Sequence, residues 1–95
     1  DAILSGVNQD IIIEIQPLIQ PDLLFKSIGQ LKERCNLYEK YLKQNSVRKE
    51  VKGVLCTLEQ PDLMKSVRGG VALLKFDWEQ KCFSNIDEVI KWVNE

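Results

Sequence analysis

The residues best suited to chemistry in this sequence are oxygen donors: Asp1, Asp10, Glu14 and Gln16, set around the run Ile11-Ile12-Ile13-Glu14-Ile15. Two carboxylates brought within reach of each other can close on one hard divalent cation. Such an ion polarises a phosphoryl oxygen and lowers the pKa of a bound water. Other catalytic chemistries are removed by composition. The chain has no histidine, which excludes Ser-His-Asp and Cys-His catalysis and histidine-based zinc sites. Its three cysteines, Cys35, Cys56 and Cys82, form no CxxC pair. Cys35 and Cys56 sit in apolar patterns, so they read as buried reduced thiols, in keeping with a cytoplasmic or nuclear setting.

Whether the carboxylates meet depends on the elements that carry them. Isoleucine is β-branched and stiff at χ1, so residues 10–16 read as a strand that Pro17 stops. Alternation places Asp10, Ile12, Glu14 and Gln16 on one face and Ile11, Ile13 and Ile15 on the other. The second face reads as core and the first as the face free for chemistry. Residues 1–4 precede Ser5-Gly6-Val7-Asn8 and read as the partner strand of a β-hairpin, with Gly6-Val7 as a type II′ turn. That register sets Ser5 opposite Asn8, Ile3 opposite Asp10 and Asp1 opposite Ile12. Asp1 is then diagonal to Glu14 at about 7–8 Å between Cα atoms. Asp10 lies about 13 Å from Glu14 along the strand, too far to share an ion.

Asp1, the twelve residues after it and Glu14-Ile15-Gln16 at a strand end resemble the core of the restriction-endonuclease-like (PD-(D/E)XK) superfamily. Its members carry a D…(D/E)-x-K signature on a hairpin. Gly29-Gln30-Leu31-Lys32 with Tyr38, Tyr41 and Leu42 resembles the post-motif helix of the C-terminal domain of NucS-type endonucleases. Val51 to Cys56 resembles the strand after it. The resemblance implies metal-dependent hydrolysis of nucleic-acid phosphodiesters, DNA ahead of RNA. It implies a Mg²⁺ or Mn²⁺ held by Asp1, Glu14 and the Ile15 carbonyl, with Gln16 positioning the water. It also implies phosphate contacts from the following helix, for which Lys26, Gln30 and Arg34 stand as candidates. A solvated surface is the plainer reading of those three residues.

The sequence departs from the family in two ways. Gln16 stands where the family has lysine, leaving Lys26 as the nearby candidate to replace that cation. The family also places a helix and a strand before the motif aspartate, whereas this sequence begins at it. The expectation is a trimmed core, or one completed by a homodimer or a second polypeptide. A catalytically inactive nuclease-fold module for nucleic-acid binding or assembly, and an unrelated α/β interaction domain, are the alternative readings.

Ninety-five residues, 44% of them apolar, make one domain (1–95) able to bury a core. A net charge of −1 gives no general attraction to phosphate, so nucleic-acid affinity has to be local. The apolar runs are too short to span a membrane. Leu24, Ile28, Leu31, Cys35, Tyr38 and Leu42 form one stripe of a helix over 21–44, and Gly29 inside it suggests close packing. Residues 43–49 form a basic connector. Strands follow over 51–57 and 71–76, with a short helix from Pro61 to about Val67 between them. A final helix over 86–94 starts at Ser84-Asn85 with a capping box to Glu88, burying Ile86, Val89, Ile90 and Val93. The expected architecture is α/β in the order β-β-α-β-α-β-α: a mixed four-stranded sheet, hairpin then crossovers, with helices packed on it.

Overall fold

The computed structural model describes residues 2–16, 21–58, 67–68 and 70–95, with the side chains of residues 21 and 68 left aside. The strands are β1 (Ala2–Ser5), β2 (Gln9–Gln16), β3 (Glu50–Thr57), β4 (Val67–Arg68), β5 (Val71–Asp77) and β6 (Cys82–Phe83). The helices are α1 (Pro21–Gln44) and α2 (Ile86–Val93). The sheet is mixed, in the order β1-β2-β3-β5-β4, with β6 paired to β5 off that path. β2, β3 and β5 are parallel, while β1 and β4 run antiparallel at the two edges. The α/β class and mixed sheet agree with expectation. The strand count is higher because residues 67–68 and 82–83 add two-residue strands to β5. Val67 is therefore in a strand where the end of a helix was expected; residues 59–66 lie outside the described residues.

The hairpin forms, but its register is shifted by two residues. Ile3 faces Ile12, Leu4 faces Ile11 and Ser5 faces Asp10, while Gly6 N–H donates to the Gln9 carbonyl at 2.8 Å. Val7 and Asn8 are thus the turn. Gly6 is not among the positive-φ residues, so the type II′ turn is absent. The shift sets Ile3 and Leu4 opposite apolar partners rather than setting Ile3 against a carboxylate. A shift of two also leaves every side chain on its expected face.

Both faces of β2 are covered. On one, Ile12 joins Leu24, Ile28, Leu31 and Cys35 of α1 and Leu55, Val71 and Leu73 of the neighbouring strands. On the other, Val54, Ala72 and Val89 of α2 form the centre, with Ile11 and Ile13 packed against them. The face expected to be free for chemistry is therefore the α1 interface. Ile15, expected in the core, is 55% exposed because α2 is short and covers only the earlier part of β2.

α1 has the expected bounds and stripe. It ends in a Schellman-type pair of bonds, Ser46 N–H to the Lys43 carbonyl (3.1 Å) and Val47 N–H to the Leu42 carbonyl (2.8 Å), with Ser46 at φ 62°. Gly29 is exposed, and a Cβ there would meet nothing within 4 Å, so it does not mark close packing. The close approach is at Gly53, where a Cβ would lie 2.9 Å from Leu31 Cγ. α2 lacks the expected capping box. The Asn85 side chain makes no cap bond and instead ties β5, donating to the Leu73 carbonyl at 2.6 Å and accepting from Lys75 N–H at 2.8 Å. Of its expected buried face only Val89 is fully covered, with Val93 half-buried, while Ile86 and Ile90 are 38% and 50% exposed. Cys35 is buried, Cys56 half-buried and Cys82 exposed; all three are free thiols. Burial raises the pKa of Cys35 and of Cys56, which keeps both as unreactive thiols. Among the described residues no helix is long and apolar enough to cross a membrane.

Candidate functional site

The polar residues of β2 divide into two groups. Asp10 is buried beside the start of β3, and both its oxygens are engaged: Tyr38 Oη donates to Oδ2 at 3.0 Å and Lys49 Nζ to Oδ1 at 3.1 Å. Burial alone would push its carboxyl up. The Lys49 and Tyr38 hydrogen bonds, with the nearby Lys49 charge, outweigh that and hold it below the usual range. The Asp10 bond in turn raises the Tyr38 phenol, and desolvation adds to it. Asp10 is a structural anchor between β2, α1 and the strand after it. Its partners were not foreseen because Tyr38 falls within the apolar stripe and Lys49 within a polar connector. The available signal was a carboxylate in register with Ile12 on an interface face.

Glu14 and Gln16 form the second group, at the C-terminal end of β2 beside Leu55 and Thr57 of parallel β3. Ligands of open sheets with parallel strands bind at such ends. Glu14 keeps 17% of its side-chain surface exposed and stands 3.8 Å from Arg34, which is 54% exposed. An ion pair this long and this wet contributes at most about 1 kcal/mol. Gln16 Oε1 accepts from Ser27 Oγ at 3.0 Å. Lys26, Gln30 and Arg34 recur every fourth residue and share one exposed stripe of α1. Only Arg34 reaches β2. Ser27, rather than Lys26, touches Gln16, and neither Lys26 nor Gln30 has a polar side-chain partner among the described residues. Beside Arg34 a groove of about 590 Å³ runs between β1 and α1, lined by Ala2, Ile3, Ile12, Arg34 and Tyr38.

Asp1, the expected second carboxylate, lies outside the described residues. Among those described, no group of three or more His, Cys, Asp or Glu residues is placed to hold a metal. The donor chemistry at the end of β2 suits a hard cation: the Glu14 carboxylate is the ligand it offers, with the Ile15 main chain beside it. Magnesium is commonly held by one or two carboxylates, with water and substrate phosphate completing the shell. Arg34 is the partner Glu14 has here, and a cation at this carboxylate would have to displace it.

No family model, curated protein or solved structure matches the chain.

Proposed function

We propose that this chain hydrolyses nucleic-acid phosphodiesters with a divalent cation, Mg²⁺ or Mn²⁺, at the C-terminal end of β2. The observation carrying this reading is the position of Glu14. It is a partly open carboxylate at the end of a parallel strand, 3.8 Å from Arg34, the one member of the exposed Lys26, Gln30 and Arg34 stripe that reaches it. Glu14, the Ile15 carbonyl and Asp1 would hold the ion. When bound, the ion stabilises charge on the scissile phosphate and lowers the pKa of the attacking water.

The side chains then have separate tasks. Arg34, released from Glu14, offers a planar fork to a phosphate. Gln16, fixed through its oxygen by Ser27, has amide N–H groups with no partner among the described residues, and these would orient a water. An amide cannot accept the proton, so Gln16 positions rather than activates. The choice of DNA over RNA rests on the resemblance to PD-(D/E)XK nucleases alone.

A second reading is favoured by the same contacts. Glu14 and Gln16 each already have a protein partner, as expected of a nuclease fold kept for binding or assembly. β1 is then an edge, with Ile3 and Leu4 half-exposed, onto which a second copy or another polypeptide could add. Incubation with single-stranded DNA, duplex DNA and RNA in Mn²⁺ separates the two. Cleavage that Glu14→Gln abolishes supports hydrolysis. Persistence of all three substrates, or cleavage that survives Glu14→Gln, contradicts it.

A further inference from the structure

We infer that the turn between α1 and β3 is a second nucleic-acid contact, taking a backbone phosphate of a single strand. It lies at the C-terminal end of α1, beyond Arg34, the helix residue that reaches Glu14. The inference rests on the proposed function only for the identity of the polyanion. A cavity of about 610 Å³ opens here, lined by Lys43, Ser46, Arg48 and Lys49. Three cations and a hydroxyl around one cavity match a phosphate diester, and no acidic residue among those described lines it.

The local fold explains why these groups converge. The left-handed Ser46 turns the chain sharply, bringing Arg48 and Lys49 back toward Lys43. The end of a helix normally repels an anion through its free carbonyls. Here the carbonyls of Tyr41, Leu42 and Lys43 already accept from Asn45 Nδ2, Val47 N–H and Ser46 N–H. Lys49 is fixed by the buried Asp10 at 3.1 Å, which makes it a rigid wall rather than the main source of charge. Lys43 and Arg48 are exposed and in no ion pair among the described residues, so they supply the attraction.

An exposed aromatic in the last turn of α1 favours a strand over a free anion. Tyr41 is 59% exposed, and its ring stacks on Tyr38 with centroids 6.4 Å apart. Tyr38 leads back through Asp10 to Lys49. Cationic grooves that follow the backbone, combined with exposed rings on which bases stack, hold single-stranded nucleic acid without sequence preference.

The test is fluorescence anisotropy of a labelled single strand of about ten nucleotides, across a salt series, with the intact chain. Lys43→Gln/Arg48→Gln replaces two exposed side chains and leaves the Asp10 network in place. It should weaken binding about tenfold and lower the slope of log affinity against log salt by about 1.4, two counterions at roughly 0.7 each. Tyr41→Ala should weaken binding with the slope unchanged. Unchanged affinity and slope in the double variant overturn the inference. So does a cavity whose amide signals at residues 46–49 shift with inorganic phosphate but not with the strand. Cleavage is not read in this measurement, so loss of hydrolysis at Glu14 is a separate result.

Discussion

Lys52 caps α2 through Trp92 in its last turn: its Nζ donates to the Trp92 carbonyl at 2.9 Å and stands 5.0 Å from the centre of the Trp92 ring. The same ammonium donates to the Val93 carbonyl at 3.0 Å, and Gln9 Nε2 reaches that carbonyl at 3.0 Å. α2 has eight residues and one fully buried apolar side chain, too little to hold a helix by itself. A buried cation from β3 therefore supplies what its apolar face does not. Lys52→Met keeps the stem and loses the charge-assisted bonds, and should cost about 2 kcal/mol. Urea unfolding measures the loss, and exchange of the amides of residues 86–93 should quicken more than that of α1.

The Asp10 carboxyl, held low by Lys49 and Tyr38, links stability to acid. Its contribution is present above the unfolded aspartate value of about 3.9 and is lost as pH falls through the lower folded value. Lys49→Met leaves the carboxylate buried with Tyr38 and no cation. It should destabilise by about 3 kcal/mol at neutral pH and remove the Asp10 share of the acid limb, because burial then favours the protonated carboxyl and the deficit against the parent shrinks as pH falls. Tyr38 has the opposite sign. Its phenol is raised, so its contribution is present below the unfolded value of about 10 and is lost as pH rises through the folded value.

Two glycines should respond oppositely to alanine. At Gly29 the added Cβ meets open space, and helix propensity favours Gly29→Ala by about 1 kcal/mol. At Gly53 it would lie 2.9 Å from Leu31 Cγ and 3.1 Å from Cys35 Sγ, both in the core under α1. Gly53→Ala should cost about 1–3 kcal/mol through overpacking. Thermal melts of the two variants should move in opposite directions.

The parts legible in the sequence were those governed by periodicity. The isoleucine alternation gave β2, the four-and-three spacing gave the α1 stripe, and Pro21 gave its start. The hairpin register was not legible, because Gly6 advertises one turn while the pairing of Ile3 with Ile12 and Leu4 with Ile11 decides for another. Asn85 looked like a cap, but the unsatisfied groups at the edge of β5 compete for the same side chain. At the candidate site, the sequence placed Glu14 and Gln16 on one face correctly. It could not show that α1 lies over that face, because an apolar stripe does not say which side of a sheet it covers. The Arg34 and Ser27 contacts follow from that docking.

The proposed hydrolysis requires that the Glu14 end of β2 receive a divalent cation. Titration of ¹⁵N-labelled protein with Mn²⁺ tests it most directly, since the ion broadens amide signals around its site. A cation held there should broaden signals centred on residues 14–16 and the adjacent residues 55–57, an effect lost in Glu14→Gln while the rest of the spectrum is unchanged. Broadening that is absent there, or that persists in Glu14→Gln, would contradict it.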